Sequence, residues 1–385
     1  MRTAKKSFLY MMSAALGLAL CPLAAAEVHE ETREHRFAAS EVTTIAILNL
    51  AGAVKLTGTD GDELIVKAML SGEADDAEEA RRNAGLLSLD IRRDGEHVEI
   101  VTVYPVKEYD EYIYYRGEDD GGFFGWGSST TTSYMGERVS VRSGGDGIGA
   151  HVDYELQIPE GMTVTFENKV GTIHAENVNG KLRLDTSSGA IAISGGKGDV
   201  NADTGSGEIE VTDRNGDVFA DTGSGGVTVR KVTGDVEADT GSGGVDVTEV
   251  TGDVFIDTGS GGADLERVTG SIHVDTGSGG VDGRDLKNVR ELEIDTGSGS
   301  VELDGDFSAL ERMMIDTGSG GVRMQTTGTL NMHLTVSAGS GGVRVDLPEM
   351  SNVRTGRGEF EAKIGNGEGR GVIDTGSGGV RITSE

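Results

Sequence analysis

Cysteine, proline and tryptophan are almost missing from this chain. Its 385 residues include one Cys, four Pro and one Trp. The lone Cys21 falls inside an N-terminal apolar stretch, so the rest of the chain has no thiol. That excludes disulfides, Cys-ligated metals and thiol nucleophiles there. After the N-terminal stretch, no apolar run reaches the ~20 residues of a membrane-spanning helix. Positive charge is scarce too: 34 Lys plus Arg face 65 Asp plus Glu, a formal −31. Such a surface repels nucleic acid and anionic lipid, and it attracts cations or basic partners. His29, His35, His97, His151, His174, His273 and His333 are scattered without metal-ligand spacing. No phosphate loop, nucleophile elbow or zinc-protease pattern occurs.

The N-terminus reads as a secretory leader over residues 1–26. Arg2, Lys5 and Lys6 precede the apolar Phe8 to Leu20, and Ala24 to Ala26 offer a small-x-small cleavage site. Its removal takes three cations away and the charge from −31 to −34. Lipidation of Cys21 would want a small residue before it, and Leu20 stands there. The expected destination is periplasm, outer surface or medium, with no integral membrane segment left after cleavage.

Residues 27–160 read as a β-rich region with one short helix. Ile45 to Asn49, Glu63 to Lys67, Leu86 to Arg92 and His97 to Val103 have strand patterns. Asp94 and Gly95 signal a hairpin between the last two. Ala74 to Ala84, rich in Ala, Glu and Arg, reads as the helix. Residues 107–149 read as a long acidic, Gly/Ser-rich and aromatic loop.

Glycine is abundant, 62 residues, roughly double the usual ~7%. Much of it sits in a repeat, Asp-Thr-Gly-Ser-Gly-Gly, whose Asp recurs every 18 residues at Asp203, Asp221, Asp239, Asp257 and Asp275. The interval loosens to Asp295 and Asp316, and a last copy opens at Asp374. Asp185 opens a degenerate early copy, and Arg354 stands where a late beat is otherwise missing. Within one period Val254 and Ile256 alternate with Phe255 and Asp257, placing two aliphatics on one strand face. A second alternation follows at positions such as Val227 and Val229, then a third apolar position at Val232, Val250 and Val268.

No single repeat can bury its apolar face alone, whereas stacked copies build a continuous narrow core. The expected fold is therefore all-β: a parallel single-stranded β-solenoid over residues 161–385, with about 18 residues per turn and roughly a dozen turns. Asn49 to Val54 has the flavour of a further turn upstream. Glycines are expected to supply the corners and their positive φ. Thr222, Thr240, Thr258 and Thr276 are expected to form a corner ladder.

Stacking also lines up the aspartates. Neighbouring carboxylates ~4.8 Å apart repel by about 1 kcal/mol even at the dielectric of water. Three reliefs are open: each Asp accepts backbone N–H groups of its own turn, the column Asp203, Asp221, Asp239, Asp257 and Asp275 holds cations, calcium being the candidate, or its pKa values are raised. Asp199, Asp217, Asp235 and Asp253 form a second column. Asp-Thr-Gly-Ser is also an aspartic-protease signature, but that chemistry needs two copies sharing a proton, not an array. The slot after Gly-Gly-Val or Gly-Gly-Ala drifts from acidic in middle turns to Arg323, Arg344 and Arg381 in late ones, so one end of the rod is less acidic.

The long loop holds the chain's aromatic concentration: Tyr109, Tyr112, Tyr114, Tyr115, Phe123, Phe124 and Trp126. Aromatics there either cap the first turn of the solenoid or contact a protein or glycan partner. On the second reading Tyr112, Tyr114, Tyr115, Phe123, Phe124 and Trp126 are the partner-binding residues.

The run from Asn49 to Val66, the lead-in from Val152 to Gly161, and the repeats resemble a bacterial family called "putative adhesin" with β-strand repeats, a domain of unknown function. The resemblance covers roughly residues 37–385 and implies a β-solenoid with no catalytic residues to carry over. The expectation is an exported, non-enzymatic solenoid without catalytic site or cofactor, calcium aside. It would meet a cell-envelope or surface protein or glycan. One alternative is a scaffold polymerising end to end, similar in outline to bactofilin filaments, with Val380 to Thr383 as an open edge for a homo-oligomer. Another is a carbohydrate-active β-helix protein, which would want a distinct carboxylate pair.

Overall fold

The computed structural model describes residues 26–114 and 129–385. The expected leader lies, but for Ala26, outside them, as do Tyr115, Phe123, Phe124 and Trp126.

The 18-residue period becomes two strands and two corners. One strand, such as Val218–Thr222, belongs to a 16-stranded sheet, here the front sheet. The next, such as Val227–Thr233, belongs to an 18-stranded back sheet. Neighbouring turns pair in parallel and in register. Val218, Ala220 and Thr222 face Val236, Ala238 and Thr240, while Val227 and Val229 face Val245 and Val247. Alternation then sorts the side chains: Val254, Ile256 and Thr258 are buried, whereas Phe255 and Asp257 are exposed. The inward residues of both sheets make one apolar core from Val42 to Ile382, so residue 160 marks no seam.

The N-terminal region supplies the first turns. Thr44–Ala51 runs parallel to Thr163–Val170, and Val54–Thr59 parallel to Ile173–Glu176. His97–Val103 adds one more parallel strand, and Ser88–Asp94 folds back on it through the Asp94–Gly95 turn, with Gly95 at φ 59°. The helix spans Ala77–Gly85; the Asp76 carboxylate caps it by accepting the N–H groups of Glu78 and Glu79 at 3.0 and 2.9 Å. The expected loop at 107–149 is partly sheet. Ser129–Tyr134 and Glu137–Arg142 form a hairpin whose central Met135 and Gly136 both have positive φ, 50° and 84°. Its run of Ser and Thr reads as polar linker by composition, but β-branched threonines also suit a strand.

Glycine's role splits between the corners: Gly216, Gly234, Gly252 and Gly270 take the expected positive φ, at 146°, 149°, 156° and 140°. Directly before the third apolar position, positive φ is taken by Lys231, Glu249 and Arg267, at 54°, 59° and 54°. Gly225 lies outside the left-handed region, yet a Cβ there would sit 1.7 Å from the Gly207 carbonyl oxygen one turn back. Close approach between turns, rather than φ, requires that glycine. The threonine ladder runs to backbone. The Thr222 hydroxyl donates to the Gly207 carbonyl at 2.9 Å and accepts the Gly225 N–H at 3.0 Å. Thr240 and Thr258 repeat both bonds.

Spatial order departs from chain order at the C-terminus. Gly369–Thr375 inserts between Arg312–Thr317 and Met332–Ala338. Val380–Ser384 likewise inserts between Val322–Thr326 and Val343–Asp346. The expected open edge at Val380 to Thr383 is therefore an interior strand. Arg354 does not fill a missing beat either: Met350–Thr355 and Glu359–Ile364 form an antiparallel hairpin along Met332–Ala338, covering that edge of the front sheet.

Candidate binding groove

Three columns of side chains point outward from the front sheet, because residues two apart share a face. The first is Asp199, Asp217, Asp235 and Asp253. The middle is Arg183, Asn201, Phe219, Glu237, Phe255, His273 and Glu293, in register from turn to turn. The third is Asp185, Asp203, Asp221, Asp239, Asp257 and Asp275, continuing through Asp295 and Asp316 to Asp374. A groove of about 690 Å³ runs along the first two columns, from Thr163 to Arg312. Nine strands cross it, so at ~4.8 Å per turn it is about 40 Å long.

Its middle is aromatic. Phe255 is 41% exposed and stacks on His273, ring centroids 4.7 Å apart and planes 4° from parallel. Phe219 lies two turns from Phe255, ~9.6 Å along the rod. His273 Nδ1 is 3.7 Å from the Glu293 carboxylate, and Arg312 reaches the same carboxylate at 3.9 Å. An exposed apolar ring flanked by carboxylates suits a cation with an apolar stem.

The two Asp columns are relieved differently. In the first, Asp217 Oδ1 accepts the Asp235 N–H at 3.0 Å, Asp235 that of Asp253 at 2.8 Å, and Asp253 that of Ser271 at 2.7 Å. Lys181 Nζ sits 2.9 Å from Asp199 and holds its carboxyl below the usual range. In the third column, no side-chain hydrogen bond ends on Asp203, Asp221, Asp239, Asp257 or Asp275 among the described residues. The local backbone bonds expected there belong to the neighbouring threonines. Burial, and then the neighbouring carboxylates, push Asp221, Asp239, Asp257 and Asp316 upward. The column spreads its charges along a line, and among the described residues no group of three or more His, Cys, Asp or Glu converges as a metal centre.

Tyr112 and Tyr114, expected at a partner surface, are buried, 0% and 6% exposed. Tyr104 packs edge-on against Tyr112 at 5.4 Å and Tyr134 at 5.7 Å. The Tyr134 hydroxyl donates to the Thr102 carbonyl, and Tyr154 pairs with the Thr102 hydroxyl at 2.7 Å. These rings are part of the apolar core rather than of an exposed surface.

Two features escaped the sequence reading. Phe219, Phe255 and His273 were visible as slot residues, but only stacking shows them as one strip. Arg214 was hidden because it occupies the slot of Val232 one turn on. It is buried and donates to the carbonyls of Val178, Gly180, Gly195, Lys197 and Gly198 at 2.7–3.1 Å. Burial lowers its pKa to about 10. The sequence signal was a charged residue in a slot that is Val232, Val250 and Val268 in the next turns.

With fold and groove in place, the chain can be set beside known proteins. Residues 197–383 match the family model described as Toastrack DUF4097, a β-repeat domain of unknown function. The repeat region is thus similar to that family's domain. A solved structure described as that of a "putative cell adhesion protein from Clostridium sporogenes ATCC 15579" aligns at 10% identity, over 93% of this chain and 100% of that one, with a TM-score of 0.17. No curated protein matches the chain.

Proposed function

We propose that this chain is a non-enzymatic binding rod, exported to act in adhesion or envelope interaction, and that an elongated basic partner lies along the front-sheet groove. The observation carrying this is the exposed Phe255–His273 stack inside a groove bordered by acidic columns. The chain's formal charge of −31 adds long-range attraction for a basic partner. The carboxylates form uniform columns rather than one distinct pair, which favours binding over glycoside hydrolysis. Export rests on the basic, apolar and Ala-rich leader pattern in the sequence.

The test is binding of a fluorescent Lys-rich peptide of about ten residues, which spans ~33 Å extended, against an uncharged peptide and a linear neutral oligosaccharide. The reading expects salt-dependent binding of the basic peptide alone. Phe255→Ala with Glu237→Lys should weaken it about tenfold or more, and Asp264→Lys on the back sheet should leave it within about twofold. Preference for the oligosaccharide, or equal loss from both faces, would overturn it.

A further inference from the structure

The back sheet carries a row of charges that the chain order conceals. Its outward slot reads, turn by turn in space, Asp246, Asp264, Asp282, Glu302, Arg323, Arg381, Arg344. Insertion of the C-terminal strand places Arg381 between Arg323 and Arg344, making one arginine ladder. Three aspartates stand on one side of Glu302 and three arginines on the other, all at the same turn-to-turn spacing of ~4.8 Å.

We propose that this row is a docking surface for a second copy of the same chain. A twofold axis through Glu302, parallel to the strands, turns one rod antiparallel to the other and keeps each slot facing the same slot. Asp246 then meets Arg344, Asp264 meets Arg381, and Asp282 meets Arg323. The axis repeats each contact, giving six pairs across an isologous interface.

The pairing within one copy fits this arrangement. Arg323 binds Glu302 at 2.6 Å and Asp282 lies 3.5 Å from Arg284, so the innermost groups already have partners. Asp246, Asp264 and Arg381 form no ion pair among the described residues, and Arg344 approaches Asp346 only at 3.9 Å. The unpaired groups of one sign are thus those that meet the least-paired groups of the other. Asp264 is held above the usual carboxylate range by burial and by Asp246 and Asp282, so an incoming guanidinium relieves a real repulsion. A groove of about 500 Å³ runs beside the arginine ladder and leaves it open to approach.

Seven turns by a strand of four or five residues cover about 500 Å² on each copy, near the lower end for a specific contact. A weak dimer is therefore expected, with Kd of about 10–100 µM. At ~0.15 M salt the Debye length of about 8 Å screens repulsion between two acidic rods but not paired ladders in contact.

Sedimentation equilibrium on the full chain tests this, with two variants whose substitutions are exposed, apart from the half-buried Asp282. One carries Arg323→Glu, Arg344→Glu and Arg381→Glu; the other carries Asp246→Arg, Asp264→Arg and Asp282→Arg. Circular dichroism and thermal unfolding confirm that each folds. The wild type should dimerise at ~0.15 M salt and dissociate near ~1 M. Each variant alone should be monomeric, and an equimolar mixture should recover the dimer. A wild type that stays monomeric at ~200 µM, or variants that dimerise alone, would overturn the proposal. So would a monomeric wild type whose arginine ladder binds anionic vesicles, which would assign the ladder to an anionic surface instead.

Discussion

Asp316 stands beside Asp374 in the front sheet, and Ser337, much nearer in sequence, stands one place further out. The last turn of the chain is therefore held on both faces by turns made earlier. Such a strand cannot fray like a free terminus. Hydrogen exchange of the amides in Gly369–Thr375 and Val380–Ser384 should be as slow as in Val254–Thr258. Fast exchange confined to these two strands would contradict the insertion.

Adjacent glycines of one corner should respond oppositely to a methyl group. A Cβ on Gly243 would lie 1.7 Å from the Gly225 carbonyl oxygen, whereas one on Gly244 would meet nothing closer than 3.6 Å. Gly243→Ala should destabilise by roughly 2 kcal/mol or more, and Gly244→Ala should stay within about 0.5 kcal/mol. Denaturant unfolding of the two variants side by side checks this.

Much of the fold was legible because the repeat declares it. Val254 and Ile256 alternate with Phe255 and Asp257, and the structure buries and exposes them accordingly. The late turns were not legible: identical spacing cannot tell Arg354, in a covering hairpin, from a repeat position, nor reveal that Val380 enters an existing gap. The groove was half legible. Its slot could be read as outward-facing, but contact between Phe255 and His273 exists only once turns are stacked. Tyr112 and Tyr114 misled as partner residues because their burial is set by tertiary packing, Tyr112 against Tyr104 and Tyr114 against His151.

Arg214 should be indispensable despite replacing a valine. Arg214→Val removes all five donated bonds and strands several carbonyls at the corner. The expected loss is roughly 2–4 kcal/mol. Arg214→Lys should recover little, since one ammonium cannot reach the same set of carbonyls. A lowered thermal midpoint in both variants is the readout.

Acid should first stabilise the rod. Asp221, Asp239, Asp257 and Asp316 have pKa values raised in the folded state. Their ionisation therefore costs stability above those values, and the cost is relieved as pH falls through them. Asp199 and Asp306 are lowered, and their contribution is lost only at lower pH, as they protonate in turn. The thermal midpoint should rise as pH falls from neutral through the raised values, then fall in stronger acid. Because the column does not converge on a point, calcium should raise the midpoint no more than magnesium at equal ionic strength.

The most direct measurement is a carboxyl-labelling footprint with the Lys-rich peptide bound. Protection should appear at Asp235, Glu237 and Asp253 in the groove, while Asp246 and Asp264 on the back sheet keep their labelling. Protection spread evenly over both sheets, or confined to the back sheet, would contradict a front-sheet binding groove.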